Sequence, residues 1–320
     1  MKTLITPYQN PDMDGFACAY SYAEYLTWNG KHVVAGIFGK PRREVLFVLD
    51  KFDITPLGDA EKFIEEVDEI ILVDASDLRG LSKKINPKKV IELIDHRKVH
   101  EGDQFLNAKK QIELVGSAAT LIAEKFYENK CPITEKSATL LFSAIASNTI
   151  NFKANVTTNR DRRMAAWLKT QFDLPENYVS EMFKDKSNFK KSIKESIIED
   201  FATFNFNGHE LGIAQLEIVE VNKFIEDNLD ELRTILEELK EERGLNFIFL
   251  TCIDLNEAFN KFVVIQKEVD EENNTKNLLE KSLGARFDEN GIAKKEGISM
   301  RKEIVPLVKE VLDEMTLTTS

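Results

Sequence analysis

Three cysteines in 320 residues are too few and too scattered to form a disulfide framework or a zinc knuckle. Cys18, Cys131 and Cys252 are far apart, and the sequence contains no Cys-x-x-Cys pair. It also lacks an apolar run long enough to cross a bilayer, and its first residues do not have the layout of a signal peptide. We therefore expect a protein of the reducing cytoplasm with no membrane partner.

Positive charge is also in deficit, because 43 lysines and arginines accompany 55 aspartates and glutamates, which gives a formal net charge of -12. Such a surface repels nucleic-acid phosphates over most of its area, so nucleic acid is not expected as a main partner. A local basic pocket is still compatible with a small phosphorylated ligand. With 42% hydrophobic residues the chain can bury a sizeable core, and its length favours two domains.

Short apolar segments alternate with helical patterns in the first half of the chain. Strands are predicted at residues 4–8, 33–37, 69–73 and 90–94, and helices at residues 16–28, 117–128 and 135–146. Ser117 is placed to cap the second of these helices. The alternation predicts an α/β fold with an N-terminal doubly wound, mainly parallel sheet.

The second half changes character after a lysine- and serine-rich stretch at residues 183–199. Asn207-Gly208 separates two strand-like segments and predicts a β-hairpin, because Asn-Gly favours the required tight turn. The elements predicted here are strands at 203–206, 211–218, 246–253 and 261–266, and helices at 221–243 and 302–314. We therefore predict an N-terminal domain at 1–186, a linker at 187–199 and a smaller C-terminal mixed α/β domain at 200–320.

Acidic and imidazole side chains follow three of the predicted N-terminal strands. Asp12 and Asp14 follow the first strand, Asp74 follows the third, and Asp95-His96 ends the fourth. The carboxyl ends of parallel strands meet at one sheet edge, where ligands collect. Hard divalent cations prefer converging anionic oxygens, so this set predicts a site for Mn²⁺ or Mg²⁺ in which Asp74 can bridge two ions. A single aspartate after a strand is more often a cap or turn residue, and it is the combination that favours a metal site.

Other polar residues near these motifs have two interpretations each. His100 is predicted to be a loop histidine beside the site, and Asp77 to be a cap rather than a ligand. Ser299 can cap the last predicted helix, and the free N–H groups of that helix, together with Arg301 and Lys302, would then hold a phosphate. The alternative for this segment is an ordinary basic helix start.

The ordered set of motifs resembles the DHH phosphoesterase superfamily, and within it the branch of manganese-dependent family II inorganic pyrophosphatases and cytosolic exopolyphosphatases. The matching motifs are Asn10-Pro11-Asp12-Met13-Asp14, Val73-Asp74, Asp95-His96, Gly116-Ser117, Ser147-Asn148-Thr149 with Phe152-Lys153, and Ser299-Met300-Arg301-Lys302-Glu303-Ile304-Val305-Pro306. The resemblance implies a DHH-type metal-binding domain, then a DHH-associated substrate domain, with substrate entering the cleft between them. It also implies a homodimer through the N-terminal domain.

The resemblance implies roles for individual residues. The catalytic and metal-binding set is Asp12, Asp14, Asp74 and His96, with Asn148 and Tyr8 at two further ligand positions. The substrate-binding set is Asn10, Arg97, Lys153, Arg301 and Lys302. Tyr8 stands where the family has a histidine, and a phenol (pKa about 10) is a poor ligand at neutral pH. Asn148 replaces an aspartate and brings no charge, so we expect a weakened site for one or two ions of Mn²⁺ or Mg²⁺.

Three further positions depart from the family pattern. Arg97 replaces the second histidine of the namesake motif, Ala202 aligns with a substrate-binding lysine, and Met300 aligns with an arginine. Loss of a lysine and an arginine removes phosphate contacts, whereas Arg97 and Arg301 return positive charge in different places. The position of Lys153 is equally compatible with a surface role and with contact with substrate.

The sequence therefore predicts a divalent-metal-dependent phosphohydrolase of a small phosphoanhydride or phosphoester, a divergent relative of the pyrophosphatases and exopolyphosphatases. The alternative is a catalytically impaired homologue that binds a phosphorylated ligand or a protein partner. A single-strand nucleic-acid exonuclease of the same superfamily has less support. The resemblance implies that members of that branch carry a different C-terminal domain with a glycine-rich motif. This chain has no Gly-Gly pair.

Overall fold

The fold is known from a computed structural model that describes residues 2–97, 101–189, 191–265 and 274–318. His100, predicted to lie in a loop beside the site, falls outside the described residues. Each helix in the described part of the chain is too short or too polar to cross a membrane.

The chain divides into two compact units. The N-terminal unit comprises Met1–Phe152 and Val156–Asp185, and the C-terminal unit comprises Lys153–Asn155 and Lys186–Ser320. The segment predicted as a linker contains a short helix, α7 (Ile193–Glu199), and Ile197 of this helix is fully buried in the core of the C-terminal unit.

The N-terminal unit is built on a six-stranded sheet in which every pairing is parallel. Its strands are β1 (Thr3–Thr6), β2 (Val33–Ile37), β3 (Gly58–Asp59), β4 (Glu69–Val73), β5 (Val90–Asp95) and β6 (Lys109–Ile112). The spatial order is β3-β2-β1-β4-β5-β6, so the direction of chain progression reverses between β1 and β4. In doubly wound sheets a ligand crevice forms at this switch point, outside the carboxyl ends of the strands.

Helices cover this sheet, and four of them begin at side-chain caps. The helices are α1 (Met13–Trp28), α2 (Arg43–Lys51), α3 (Ala118–Glu128), α4 (Glu135–Asn148), α5 (Asn159–Leu168) and α6 (Tyr178–Ser187), the last of which ends just inside the C-terminal unit. Ser117 caps α3 as predicted, because its side chain accepts the Ala119 N–H. The first helix starts earlier than predicted because Asp12 is itself the cap, accepting the N–H groups of Asp14 and Gly15.

The C-terminal unit is a five-stranded mixed sheet with helices, as predicted. Its strands are β7 (Phe201–Phe206), β8 (His209–Ile218), β9 (Phe247–Asp254), β10 (Phe259–Val264) and β11 (Ile292–Glu296), and its further helices are α8 (Val221–Arg243), α9 (Thr275–Leu283) and α10 (Arg301–Thr318). Among these five described strands only β8 and β9 pair in parallel, and α8 connects them. Asn207 (φ 52°) and Gly208 (φ 87°) form the left-handed turn of the predicted hairpin.

The prediction that Ser299 caps α10 is wrong. The backbone N–H and C=O of Ser299 bond to the buried side chain of Asn260 at 2.9 and 2.8 Å, and its hydroxyl accepts from Lys295 at 2.8 Å. Met300 precedes the helix instead, and its N–H donates to the Glu303 carboxylate at 2.9 Å. Asn260 thus holds Ser299 one residue before the capping position, so the Ser299 side chain does not cap the helix.

Candidate metal centre

The switch point of the N-terminal sheet brings together the residues that follow β1, β4 and β5. Asp74 comes directly after β4 and has a left-handed backbone (φ 51°), a conformation that aspartate adopts more readily than most residues. Its N–H donates to the Ile94 carbonyl of β5 at 2.7 Å. The adjacent strand therefore fixes the backbone that carries this carboxylate, which is only 3% exposed.

Three of the predicted ligands converge. Each of Asp14, Asp74 and His96 offers one side-chain atom that can bind a metal, and these three atoms lie within 4.8 Å of one another. We call these residues the ligand cluster. His96 Nε2 lies 3.5 Å from Asp74 Oδ1 and 3.7 Å from Asp14 Oδ2. His96 Nδ1 lies 3.0 Å from the Val115 carbonyl, which can only accept, so Nδ1 is the donor. In the neutral imidazole Nε2 is then a lone-pair donor directed at the two carboxylates.

The ligand cluster is buried and rich in negative charge. Burial, reinforced by the neighbouring Asp14 and Asp12 carboxylates and opposed by His96, raises the pKa of Asp74 to about 7. Burial also raises the pKa of Asp14, with His96 acting in the opposite direction. Two buried carboxylates beside an imidazole lone pair form a set of acceptors that is best satisfied by a cation.

Asp14 is anchored at the start of α3. Its Oδ1 accepts the Ser117 hydroxyl and the Ala119 N–H, and its Oδ2 accepts the Ala118 N–H, all at 2.8 Å. The Ala118 and Ala119 N–H groups lie at the positive end of the helix, where a carboxylate is stabilised. Asn148, at the end of α4, donates its amide to Asp14 Oδ2 at 2.6 Å. The family's aspartate position is therefore occupied here by a hydrogen-bond donor to Asp14.

Tyr8, Asp12 and Arg97 form a second set of side chains, which we call the Tyr8 group. The Tyr8 hydroxyl accepts the Asp12 N–H at 3.1 Å, and the Asp12 carboxylate accepts the N–H groups of Asp14 and Gly15 at 3.0 and 3.1 Å. The Arg97 guanidinium lies 5.8 Å from the centre of the Tyr8 ring. Burial, reinforced by Asp12, raises the pKa of Tyr8 well above its ordinary value, so the phenol stays protonated at neutral pH.

Arg97 is surrounded by carboxylates of the protein itself. Its guanidinium lies 3.4 Å from Asp77 and 3.7 Å from Asp95. Burial lowers the pKa of Arg97, but Asp74 and Asp95 outweigh burial and raise it overall, so this cation is permanent. Asp77 also accepts the Glu101 N–H at 2.7 Å, which gives it a structural contact.

Two of the predicted substrate residues make contacts within the protein. Asn10 is exposed and has a left-handed backbone (φ 55°); its N–H donates to the Phe38 carbonyl at 2.9 Å, and its side chain accepts the Lys40 N–H at 3.0 Å. Lys153 donates its ammonium to the Asn256 carbonyl at 2.6 Å. Both residues therefore hold loops in place.

The two predicted phosphate-binding cations of the C-terminal unit differ in their surroundings. Arg301 donates to the backbone carbonyl and the carboxylate of Asp200, both at 2.6 Å, and its N–H donates to Gln215 at 2.9 Å. Lys302 is exposed at the first turn of α10. The arginine is committed to a protein carboxylate, whereas the lysine faces solvent.

Sequence reasoning missed two residues near the cluster. Cys18 lies one helical turn after Asp14, and its thiol is 3.6 Å from Asp14 Oδ1. The i, i+4 spacing on α1 was a signal that could have indicated this contact. Arg42 donates its N–H to the Pro11 carbonyl at 2.8 Å, and its charge lowers the pKa of Tyr8. Its position shortly after β2, at the same sheet edge, was the available signal.

An all-parallel sheet with a buried Asp-Asp-His cluster at its switch point, followed by a smaller mixed α/β unit, defines a two-unit α/β protein with a candidate metal centre. Residues 2–145 match the DHH family, N-terminal domain, and residues 180–311 match the DHHA2 domain. The chain therefore belongs to the DHH family, in the branch that includes the manganese-dependent family II inorganic pyrophosphatases.

Relatives in this branch match the chain from end to end. A Methanothrix thermoacetophila manganese-dependent inorganic pyrophosphatase is 29% identical over 315 residues, which cover 94% of this chain and 96% of the relative. A Listeria welshimeri protein assigned to the same activity is 28% identical over 97% of this chain and 98% of its own. The crystal structure of a Methanococcus jannaschii protein assigned to the family II inorganic pyrophosphatases aligns with a TM-score of 0.74 and 27% identity, covering 96% of this chain and 98% of that one.

Proposed function

We propose that the protein is a divalent-metal-dependent phosphohydrolase that acts on a small phosphoanhydride or phosphoester. The observation that carries this proposal is the ligand cluster, in which His96 Nε2 lies 3.5 and 3.7 Å from two buried carboxylates. The full-length relatives named as manganese-dependent inorganic pyrophosphatases support Mn²⁺ as the ion and a small phosphorylated substrate.

The cluster fits a metal ion by its chemistry. Asp14, Asp74 and His96 present two anionic oxygens and one imidazole nitrogen, a donor set suited to Mn²⁺. A bound divalent ion would polarise a phosphoryl oxygen and lower the pKa of a bound water. The protein's own contribution is rigidity, since Val115 fixes the imidazole tautomer and the start of α3 fixes the Asp14 carboxylate.

Cations of the chain would contact the phosphoryl oxygens. Arg97 supplies a permanent charge next to the cluster, where Asp74 and Asp95 keep it protonated. We propose Lys302 as the cation of the C-terminal unit that binds substrate, because it is exposed while Arg301 is paired with Asp200. Asn10 and Lys153 then act by holding their loops rather than by direct contact.

A catalytically impaired homologue is the second candidate, and specific contacts favour it. The Asn148 amide occupies Asp14 Oδ2 at 2.6 Å, and Tyr8 is a protonated phenol rather than a ligand. Both features weaken ion binding, and a protein of this kind would bind a phosphorylated ligand or a protein partner without turnover.

Replacement of Asp74 by asparagine separates these two candidates. Asparagine tolerates the left-handed backbone at this position, so the change removes the charge with little strain. Release of phosphate from pyrophosphate, short polyphosphates and nucleotides is measured with Mn²⁺ and with Mg²⁺. We expect turnover by the natural chain, a loss of at least about 100-fold in Asp74→Asn, and no change in the exposed control Asp103→Asn. No turnover by the natural chain would contradict a hydrolase, and equal activity of all three proteins would show that the ligand cluster does not carry the reaction.

A cytoplasmic homodimer is part of the same proposal. The edge strand β6 has Leu106 and Leu114 near its ends, 90% and 63% exposed, and this surface supports pairing through the N-terminal unit. Light scattering of the purified protein measures the mass directly. A monomer at micromolar concentration would contradict the dimer and leave the hydrolase proposal untouched.

A further inference from the structure

The ligand cluster and the Tyr8 group both act on Asp74, but they offer an ion opposite chemistry. The cluster presents two carboxylates and an imidazole nitrogen that can all donate electron pairs to a cation. The Tyr8 group presents a phenol, a guanidinium and the Asp12 carboxylate, and the phenol and the guanidinium both interact electrostatically with Asp74. An ion is attracted to the first set and is repelled by the guanidinium of the second.

Arg97 cannot readily leave its position. Its guanidinium lies 3.7 Å from Asp95, which is fully buried and is held by the Ser76 hydroxyl and by the His96 N–H at 2.7 Å. Moving the arginine away would leave that buried carboxylate without its cation, which is strongly unfavourable. The guanidinium is therefore a built-in positive charge beside Asp74.

The remaining members of the Tyr8 group are already committed to the backbone. Asp12 Oδ1 accepts two N–H groups of α1, and the Tyr8 hydroxyl accepts the Asp12 N–H at 3.1 Å. A phenol has an ordinary pKa of about 10 and therefore does not deprotonate to bind a metal at neutral pH. Asp12 also lies outside the set of donor atoms that converge within 4.8 Å.

We infer that the Tyr8 group takes the place of a second divalent ion, so that this chain binds one Mn²⁺ or Mg²⁺ ion in the ligand cluster and the Arg97 guanidinium supplies the remaining positive charge. The inference rests on the proposed function, because it assigns the number of ions at the same site. It distinguishes this chain from the two-ion arrangement that the family resemblance implies.

The number of bound ions tests this inference without reference to activity. Equilibrium dialysis of the full chain against increasing Mn²⁺ gives the ions bound per chain, and electron paramagnetic resonance reports whether bound Mn²⁺ ions are magnetically coupled. We expect one ion per chain and an uncoupled spectrum. Two ions with a coupled spectrum would overturn the inference while leaving the metal-dependent hydrolase intact. No bound ion at millimolar Mn²⁺ would overturn both.

A double variant tests the cause. Tyr8→His with Arg97→His removes the guanidinium and adds imidazoles, so the bound Mn²⁺ should rise from one ion per chain to two and the spectrum should become coupled. The matched control makes the same substitutions at the exposed Tyr127 and at Arg163, and it should stay at one ion. A folded double variant, verified by circular dichroism, that still binds one ion would overturn the role given to the Tyr8 group. If this variant does not fold, the ion count of the natural chain alone decides.

Discussion

The ligand cluster and the Tyr8 group lie along one sheet edge and differ in what satisfies their polar side chains. In the cluster, His96 and Asp74 lie 3.5 Å apart and carry the chemistry of a cation site. In the Tyr8 group, a fixed guanidinium above an aromatic ring already supplies the positive charge. A retained carboxylate therefore does not by itself define a metal position, because the groups facing it decide whether an ion is needed.

The largest effect on Mn²⁺ affinity is expected when the imidazole of the ligand cluster is removed. His96→Ala deletes the nitrogen donor of the cluster while leaving the Tyr8 group unchanged, so Mn²⁺ affinity should fall by at least about 100-fold, given that even an outer partner of a ligand is worth about 10–100-fold. Isothermal titration calorimetry measures the affinity. His209→Ala, in the C-terminal unit, is the matched control and should bind Mn²⁺ like the natural chain. Unchanged binding in His96→Ala would place the ion elsewhere.

Restoring a carboxylate at the end of α4 should strengthen the cluster. Asn148→Asp replaces the amide that donates to Asp14 at 2.6 Å with a second anion, so Mn²⁺ affinity should rise by about 10-fold or more, since charge count at oxygen sites tunes affinity. Without metal the two carboxylates repel each other, and the free energy of unfolding should fall by about 1–3 kcal/mol. Urea denaturation with Mn²⁺ and with a chelator measures both effects.

The control for this variant is Asn151→Asp, which adds the same charge at an exposed position three residues away. Asparagine and aspartate both tolerate its left-handed backbone (φ 49°), so the control should change neither affinity nor stability appreciably. A decrease in Mn²⁺ affinity in Asn148→Asp, or an equal response of the control, would contradict the role assigned to the amide.

The smallest effects are expected at Arg301 and Lys302, two neighbouring cations of α10. Arg301 is paired with a carboxylate of the protein, whereas Lys302 is exposed. Arg301→Ala breaks its contacts with Asp200, so the free energy of unfolding should fall by about 1–2 kcal/mol. Lys302→Ala should leave stability unchanged within about 0.5 kcal/mol and raise KM for the phosphorylated substrate. Urea denaturation and steady-state kinetics check the pair, and a stability loss confined to Lys302→Ala would reverse these roles.

Much of the fold follows from the sequence pattern alone. The strands at 33–37 and 69–73 and the helix at 221–243 were predicted with the bounds that the structure has, since apolar periodicity and turn residues define them. The edge strand β6, of sequence Lys-Lys-Gln-Ile, was not predicted because a polar edge strand carries no apolar pattern. The same applies to the two-residue strand β3, whose identity is fixed only by pairing with β2.

The order of residues is enough to predict that carboxylates and an imidazole follow the strands of a parallel sheet, because strand ends are marked locally by apolar runs and the residues after them. The partners of the charged side chains are set by the folded chain: Asn148 donates to Asp14, Arg97 lies over Tyr8, and Arg301 pairs with Asp200. These pairs join residues that are about 90 to 130 positions apart in the chain. Whether a charged side chain is available to a ligand depends on such long-range contacts, which local pattern does not encode.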